Sequence, residues 1–247
     1  MIPPLVAVAH GSRDPRSAAT IGSLLDVLRE QDPELDVRTA FLDLCAPRLG
    51  DVLKGLHAEG HRQIVVTPLL LGSAYHARVD IPGSVEKAGR KLPRLDVRVS
   101  DVLGPDPLLE SAALRRLTES GADPADPDLG VVLTAAGSSH QPANKAVRRV
   151  ARTWLRQTNW TAATAAFAAA ATPEVPAAIA SLRARGARRI AVGMWFLAPG
   201  LLPDRVINAA GPDVLITPPL GAAPEVAEVI HNRYLEATTA ERARPVA

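Results

Sequence analysis

Two histidines and one aspartate in the first half of the chain follow a pattern suited to metal binding or acid–base chemistry. His10, Asp43 and His76 each follow a short apolar segment, and these segments are 5–9, 37–42 and 64–71. Imidazole and carboxylate groups bind Fe(II), Co(II), Ni(II) and Zn(II), and an imidazole also accepts protons near neutral pH. Each histidine taken singly has a simpler alternative as a capping or packing residue.

Small, polar and basic residues flank the two histidines. They are Gly11, Ser12 and Arg13 after His10, and Ser73, Ala74, Tyr75 and Arg78 around His76. Glycine lets a backbone approach a ligand closely, and a serine near a helix start offers hydrogen-bond donors. Each guanidinium could pair with a ligand carboxylate, although a solvated surface arginine has the same sequence pattern. We predict that these residues bind substrate.

The chain contains an internal repeat at a constant offset of 126 positions. Identical residues recur in register, namely Gly11-Ser12 with Gly137-Ser138, Phe41 with Phe167, Pro47 with Pro173, Gly60 with Gly186, and Ile64 with Ile190. The two histidines do not recur, since the matching residues are Ala136 and Leu202. The pattern indicates tandem duplication of one folded unit, with the reactive residues kept in the first copy.

Each half alternates strand-like and helix-like segments, which predicts an α/β fold. Strands are expected at 5–9, 37–42, 64–71 and 96–103, and again at 131–135, 162–167, 190–197 and 214–217. Alternation of this kind implies right-handed crossovers and a parallel sheet covered by helices. Ligands bind beyond the carboxyl ends of the strands in such sheets, which is where His10, Asp43 and His76 are expected.

A segment rich in Asp, Pro and Gly at 120–128 separates the two halves. We therefore predict an N-terminal domain at 1–120 that carries the site, and a C-terminal pseudo-repeat at 129–247 without the catalytic histidines. A relative with one unit would need two copies to enclose its substrate. The linker makes that pairing intramolecular, which predicts a monomer.

Composition excludes several classes of function. The 247 residues are 47% hydrophobic and 22% charged, as in an ordinary globular protein. A net charge of +2 without basic clusters, together with 3% aromatic residues, argues against nucleic-acid binding and favours a small anionic ligand. The single cysteine excludes an internal disulfide framework, and no signal peptide or membrane-spanning segment is recognisable. The expectation is a cytoplasmic protein without a membrane partner.

The remaining candidate ligands have weaker cases. His57 falls in the last turn of a helix, His61 precedes a strand and so lies at the opposite edge, and His231 falls in the closing helix. His140 follows the second Gly-Ser pair without a partner and is predicted to be structural. Cys45 is either close to the metal or a buried, inert thiol.

Two segments of the chain resemble the signature segments of the class II chelatases, and more narrowly the long, duplicated sirohydrochlorin chelatases. One is His10-Gly11-Ser12-Arg13, and the other runs from Pro68 to Pro82 through Tyr75-His76-Ala77-Arg78. The resemblance covers essentially the whole chain. It implies two flavodoxin-like lobes, each a four-stranded parallel sheet flanked by helices, which face each other across a cleft that the tetrapyrrole enters.

The resemblance also implies an activity and roles for particular residues. The family's catalytic histidines correspond to His10 and His76, and both would bind the metal ion. An acidic residue after the second strand, often glutamate, assists the metal in relatives, and Asp43 occupies that position. The implied reaction inserts Fe2+ or Co2+ into sirohydrochlorin, in siroheme or cobalamin biosynthesis. The metal is then a substrate, no prosthetic group is expected, and Ni2+ or Zn2+ would also bind.

Two rival functions use the same residues differently. A metal carrier would bind an ion with the His and Asp cluster and transfer it without catalysis. A solute-binding scaffold would bind no metal at all. A permanent metal site is usually closed and four-coordinate, whereas about three ligands beside a large cleft favour an open, exchangeable site and hence the chelatase. The absence of a His-rich tract gives a slight preference for iron over cobalt.

Overall fold

The chain folds into two compact α/β units, which the computed structural model describes over residues 2–72 and 80–239. The first unit combines the chain up to Gly104 with the chain from Ala222, and the second unit is Pro105–Gly221. Over the described residues, each unit contains one four-stranded parallel sheet flanked by helices. The α/β class and the parallel sheets predicted from the sequence are confirmed.

The first unit begins with alternating strands and helices. In chain order they are β1 (Leu5–Ala9), α1 (Pro15–Gln31), β2 (Val37–Phe41), α2 (Leu49–Ala58), β3 (Gln63–Pro68), α3 (Ile81–Gly89) and β4 (Asp96–Val99). The spatial order across the sheet is β2-β1-β3-β4, and all the pairs are parallel. This order puts β1 and β3 in the middle of the sheet, where both faces are covered. Their sequences are almost entirely apolar for that reason.

The second unit repeats this arrangement. Its elements are α4 (Pro107–Glu119), β5 (Leu129–Ala135), α5 (Gln141–Trp154), β6 (Ala162–Phe167), α6 (Val175–Ala184), β7 (Arg189–Met194), α7 (Leu201–Ala210) and β8 (Leu215–Ile216). The sheet order is β6-β5-β7-β8, again fully parallel. The same strand order in both units is the structural counterpart of the sequence repeat.

Several strands end earlier than the apolar runs predict. The run 64–71 forms a strand only as far as Pro68, because Leu70 N–H donates to Pro68 O (2.9 Å) and the chain turns there. Leu69 is nevertheless 3% exposed, so its apolar character reflects burial in the loop rather than strand pairing. The predicted strands 96–103 and 190–197 likewise end at Val99 and Met194.

The last helix of each half packs in the other unit. The chain ends its described part with α8 (Pro224–Thr239), which packs against α1 and β3 of the first unit. In the second unit α4, which follows β4 in the chain, packs against β7. Leu117 of α4 lies directly over Gly193, where a Cβ would be 3.4 Å from the leucine Cδ1. The two helices are therefore exchanged between the halves of the sequence.

An arginine fastens each exchanged helix in the same way. In the first unit, Arg233 of α8 donates from Nη2 to Leu103 O (3.2 Å). In the second unit, Arg116 of α4 donates from Nη2 to Leu220 O (3.0 Å). The two acceptors are equivalent, since Leu103 and Leu220 each bond through N–H to the loop that follows the third strand of their unit. The exchange is thus symmetric in its hydrogen bonds as well as in its packing.

The exchange changes where one unit ends and the other begins. The predicted domains, 1–120 and 129–247, differ from the compact units by one helix each, because α4 belongs with the second unit and α8 with the first. The linker 120–128 marks the end of α4 and the start of β5, which is the point where the sequence repeats. Repetition in the sequence and packing in space therefore divide the chain at different places.

Candidate functional site

His10 and Asp43 lie next to each other at the carboxyl edge of the first sheet. His10 directly follows β1, and Asp43 is the second residue after β2. Backbone hydrogen bonds continue the pairing of these strands past their ends, from Leu42 N–H to Ala9 O (3.0 Å) and from Asp43 N–H to His10 O (2.9 Å). The strand register therefore brings the two predicted ligands to the same place.

Gly11 allows the two loops to approach closely. Its φ of +94° lies in the left-handed region, which residues with a side chain rarely adopt. A Cβ at this position would lie 1.8 Å from Asp43 O. The close approach predicted for Gly11 is thus an approach to the neighbouring loop, and it is needed to hold His10 beside Asp43.

The His10 side chain is oriented by its own loop. Its Nδ1 lies 3.1 Å from Gly11 O, and the ring is partly buried. A carbonyl oxygen can only accept, so Nδ1 carries a proton in this arrangement, and Nε2 is the nitrogen whose lone pair is available when the imidazole is neutral. Hydrogen bonds of this kind orient the histidines that bind metals in other proteins.

Asp43 is an exposed carboxylate held in its ionised form. Its Oδ1 accepts hydrogen bonds from Arg48 Nη1 (2.6 Å) and from Leu44 N–H (2.8 Å). The Arg48 bond first, then the Leu44 bond and the charge of His10, lower the pKa of this carboxyl below its ordinary value. Within the described residues, Oδ2 accepts no hydrogen bond. The Asp43 side chain is 64% exposed, so this oxygen is suited to binding an ion that arrives from solvent.

We expect Arg48→Gln to raise the pKa of Asp43, because the largest cause of the downward shift is removed. A lowered carboxyl pKa keeps the metal-binding form populated to lower pH. In the variant, the loss of Co(II) affinity on acidification should therefore begin at a higher pH than in the wild type. Carbon-13 NMR titration of the metal-free protein measures the pKa, and calorimetric titration at several pH values measures the affinity.

Arg16→Gln is the matched control for this prediction. Arg16 pairs with Asp14 through Nη2 (2.5 Å) and lowers the pKa of that carboxyl in the same way. Asp14 does not line the cavity beside His10. The control should leave the pH dependence of Co(II) binding unchanged, and an equal effect of both variants would contradict a specific role for Arg48.

A cavity of about 570 Å³ opens beside His10 and Asp43. The other residues that line it are Leu42, Asp80, Gly83, Ser84 and Lys87. The last four are spaced as one face of α3, which begins at Ile81. This spacing was readable in the sequence but was not used to predict the site. It adds a carboxylate and an ammonium group to the cavity wall.

The described residues contain only part of the predicted site. His76, Ser73, Ala74, Tyr75 and Arg78 lie outside them. Their predicted roles remain predictions.

The two substrate-binding candidates after Gly11 differ in their contacts. The Arg13 side chain is exposed and forms no hydrogen bond or ion pair with the described residues. The Ser12 hydroxyl accepts a hydrogen bond from Asp14 N–H (3.1 Å), so it helps to shape the turn before α1.

The second unit has the same loop geometry, with Ala136 and Ala169 in place of His10 and Asp43. Ala169 N–H donates to Ala136 O (2.9 Å), as Asp43 N–H does to His10 O. Gly137 has φ +84°, and a Cβ there would lie 2.0 Å from Ala169 O. The corresponding cavity is only about 190 Å³ and has Val206 and Ala209 where the first unit has Asp80 and Gly83. The repeat therefore preserved the backbone of the site and not its chemistry.

A second group of possible ligands lies at the amino edge of the first sheet. The ligand atoms of Asp36, Glu59 and His61 all lie within 4.8 Å of one another. Arg38 occupies this group, because it donates to Asp36 Oδ1 (2.6 Å) and to Glu59 Oε2 (2.8 Å). The two carboxylates are thus paired with one guanidinium, and the structure places His61 at the edge opposite His10, as predicted.

The other histidines have structural partners. His57 Nε2 lies 3.1 Å from Pro93 O, and His231 Nε2 lies 3.1 Å from Asp32 Oδ2. His140 occupies the position just before α5. None of these three lines the cavity beside His10.

The two copies of the repeat match a known family. The family model described as CbiX matches residues 4–120 and matches the chain a second time at residues 130–237. The chain belongs to the CbiX family. Both copies of the repeat are thus CbiX units, and the resemblance to the sirohydrochlorin chelatases drawn from the sequence is confirmed.

The relatives of this CbiX protein include chelatases named for cobalt and chelatases named for iron. A sirohydrochlorin cobaltochelatase of Priestia megaterium is 25% identical over 201 residues, which are 81% of this chain and 65% of the relative. A sirohydrochlorin ferrochelatase of the same organism is 24% identical over 202 residues, covering 81% of this chain and 74% of the relative. The chain thus spans about two thirds of the length of the first relative.

A solved structure supports the fold assignment of the CbiX chain. SirB from Bacillus subtilis with Fe3+ superimposes with a TM-score of 0.83 and 23% sequence identity, covering 98% of each chain. At this level of identity the likeness establishes the fold. The predicted chelatase-like architecture of the two units is confirmed by it.

Proposed function

We propose that this protein is a sirohydrochlorin chelatase, which inserts Fe2+ or Co2+ into the tetrapyrrole, and that His10, Asp43 and His76 bind the metal ion. The observation that carries the proposal is the pairing of His10 with an ionised, exposed Asp43 beside a large cavity, in the CbiX unit that kept its histidines. The names of the relatives point to the same substrate.

Metal insertion requires three things of the protein. It must hold a hydrated divalent ion, replace some of its waters, and accept two protons from the pyrrole nitrogens. Asp43 supplies a carboxylate that Arg48 keeps ionised, so the ion can bind before the tetrapyrrole arrives. The Nε2 lone pair of His10 can then bind the ion or accept a pyrrole proton. Holding ion and ring in one site supplies the proximity that the reaction lacks in water.

Basic residues near the site suit an anionic substrate. Sirohydrochlorin carries several carboxylates, and Lys87 lies on the cavity wall with a charge of the opposite sign. Arg13 is exposed and could reach a peripheral carboxylate, with Gly11 and Ser12 forming the loop beneath it. Ser73, Ala74, Tyr75 and Arg78 complete the proposed substrate-binding set from the signature segment around His76. Ammonium and guanidinium groups raise both the rate of encounter with such an anionic ligand and the affinity for it.

We expect the purified protein to accelerate insertion of both Fe(II) and Co(II) into sirohydrochlorin. Imidazole is a ligand of intermediate softness and carboxylate is a hard one, and the affinity of such sites for divalent ions follows the Irving–Williams order rather than the needs of one pathway. The measurement is an anaerobic assay of the visible spectrum, with each metal supplied separately. Ni(II) and Zn(II) are expected to bind to the metal-free protein in calorimetric titration.

The same assay separates the chelatase from its rivals. Metal binding without acceleration over the uncatalysed insertion would indicate a carrier. A solute-binding scaffold would have no affinity of this site for metal, so replacing both histidines by alanine would leave the metal titration unchanged. A preference for cobalt above about a hundredfold, which is about 2.7 kcal/mol of transition-state discrimination, would assign the protein to cobalamin synthesis rather than to siroheme synthesis.

The assembly and the location of the protein remain predictions from the sequence. The intramolecular repeat predicts a monomer with one site per chain, and sedimentation analysis would test this. Within the described residues, no helix has both the length and the apolar character needed to cross a bilayer. The prediction of a cytoplasmic protein rests on its composition and single cysteine.

A further inference from the structure

In each unit, one side chain forms hydrogen bonds with both the C=O and the N–H of a loop serine, but the side chain differs between the two units. In the first unit, Cys45 Sγ–H donates to Ser12 O (2.9 Å), and Ser12 N–H donates back to Cys45 Sγ (3.4 Å). In the second unit, Asn144 Nδ2 donates to Ser138 O (2.7 Å), and Ser138 N–H donates to Asn144 Oδ1 (3.0 Å). We name these arrangements the thiol clamp and the amide clamp.

The loops held by the two clamps are otherwise equivalent. Ser12 and Ser138 stand at matching positions of the repeat. Each hydroxyl accepts from the backbone N–H two residues later, at 3.1 Å from Asp14 and at 3.0 Å from His140. The helices α1 and α5 begin directly after these residues. The clamps thus solve one structural problem, which is how to fix the loop after the first strand.

The clamps come from different elements, so neither unit contains both. Cys45 lies in the loop after β2, and the matching residue of the second unit is Ala171. Asn144 lies in the first turn of α5, and the matching residue of the first unit is Ala18. Each clamp is therefore absent where the other is present. A side chain at residue 18 could in principle replace the one at residue 45.

We propose that Cys45 is a positioning residue that holds the loop of His10 in place for metal insertion, an inference that rests on the proposed function. Ser12 is two residues from His10 and is joined to it through Gly11, which has no side chain to anchor it. The loop after β2 holds the loop after β1 at two points, from Asp43 N–H to His10 O and from Cys45 to Ser12. Removal of the Cys45 contact leaves the loop of His10 attached to the loop after β2 only through the bond from Asp43 N–H to His10 O.

The geometry also decides between the two roles open to Cys45. The sulfur is engaged by the Ser12 backbone, at 2.9 Å from Ser12 O and 3.4 Å from Ser12 N. Cys45 is only partly buried, so it is not an inert core thiol, and it is not among the described residues that line the cavity beside His10, which favours the positioning role over that of a metal ligand.

Transplanting the amide clamp tests the proposal. We expect Cys45→Ala to lower the rate of metal insertion by about tenfold, because a displacement of a reacting group by an ångström or less has effects of this order. The double variant Ala18→Asn/Cys45→Ala should recover to within about threefold of the wild type, since positioning is restored without sulfur. Asn144→Ala is the matched control, which removes the amide clamp of the second unit and should leave insertion close to wild type.

Two further measurements keep the outcome unambiguous. Hydrogen exchange of the Ser12 amide should accelerate in Cys45→Ala and slow again in the double variant, and this readout does not depend on chelatase activity. The Co(II) spectrum of the wild type should lack a sulfur-to-cobalt charge-transfer band. Normal insertion by Cys45→Ala would overturn the proposal. It would also be overturned if the double variant failed to recover while its Ser12 amide is protected, or if the wild type showed a charge-transfer band that is lost in Cys45→Ala. A wild type without insertion activity would overturn the proposed function, and the exchange data would still test the clamp.

Discussion

His10→Ala will lower the rate of metal insertion by about a hundredfold or more, since a positioned acid–base group contributes at least this much. The expected loss is large because the imidazole has two possible uses here, as a ligand of the ion and as acceptor of a pyrrole proton. The residue lies in a loop at the sheet edge and is only partly buried, so its truncation leaves no cavity in the core. The measurement is steady-state insertion of Co(II) and Fe(II), with circular dichroism to verify the fold.

The repeat supplies the control for this experiment. Ala136 occupies the position of His10 in the second unit, with the same backbone hydrogen bond to the loop after the second strand. Ala136→Ser should therefore change insertion little. The sequence predicts the same large loss for His76→Ala and the same small effect for Leu202→Ala. Near-normal turnover by a folded His10→Ala variant would remove His10 from the mechanism.

Gly11→Ala should lower both stability and metal affinity. The new Cβ would lie 1.8 Å from Asp43 O, which is a backbone atom and cannot move away by rotation of a side chain. The φ of +94° adds a conformational penalty, and the two effects together should cost at least about 2 kcal/mol of stability. Relief of the clash moves the loop of His10 away from Asp43, so the affinity for Co(II) should fall as well.

Gly137→Ala separates the two effects of this substitution. Its Cβ would lie 2.0 Å from Ala169 O at a φ of +84°, so calorimetry should show a comparable loss of stability. The second unit has alanines in place of His10 and Asp43, and Co(II) affinity should stay near that of the wild type. Equal Co(II) affinity in Gly11→Ala and Gly137→Ala would show that the proximity of His10 and Asp43 does not matter for binding.

The strands and the position of the site were predictable because each depends on local sequence. The apolar run of β1 is buried on both faces, and a polar residue that directly follows such a run must lie at the sheet edge. His10 and Asp43 could be placed together for this reason. Arg48 and Lys87 were missed because a lone cation just before a helix, or in the last turn of one, has the same pattern as a solvated one. Only the structure shows Arg48 bonded to Asp43 and Lys87 on the cavity wall.

The exchange of helices could not be predicted, also for a physical reason. The buried residues of α8, among them Val226, Val229 and Ile230, show that one face of this helix packs against a core. They do not show which core, because β3 and β7 are equivalent strands with similarly apolar surfaces. The choice is decided by the geometry of the connections and by contacts such as that of Arg233 with Leu103. Such contacts join residues far apart in the sequence.

This exchange has a consequence for the order in which the protein is completed during synthesis. The second unit is one continuous stretch, so its whole core is available once residue 221 has left the ribosome. The first unit emerges earlier, yet β3 and α1 wait for the helix that begins at Pro224. Domains fold vectorially as they emerge. The unit that is translated first and carries His10 is therefore completed after the second unit, and the apolar surface that α8 covers stays exposed until that helix has been synthesised.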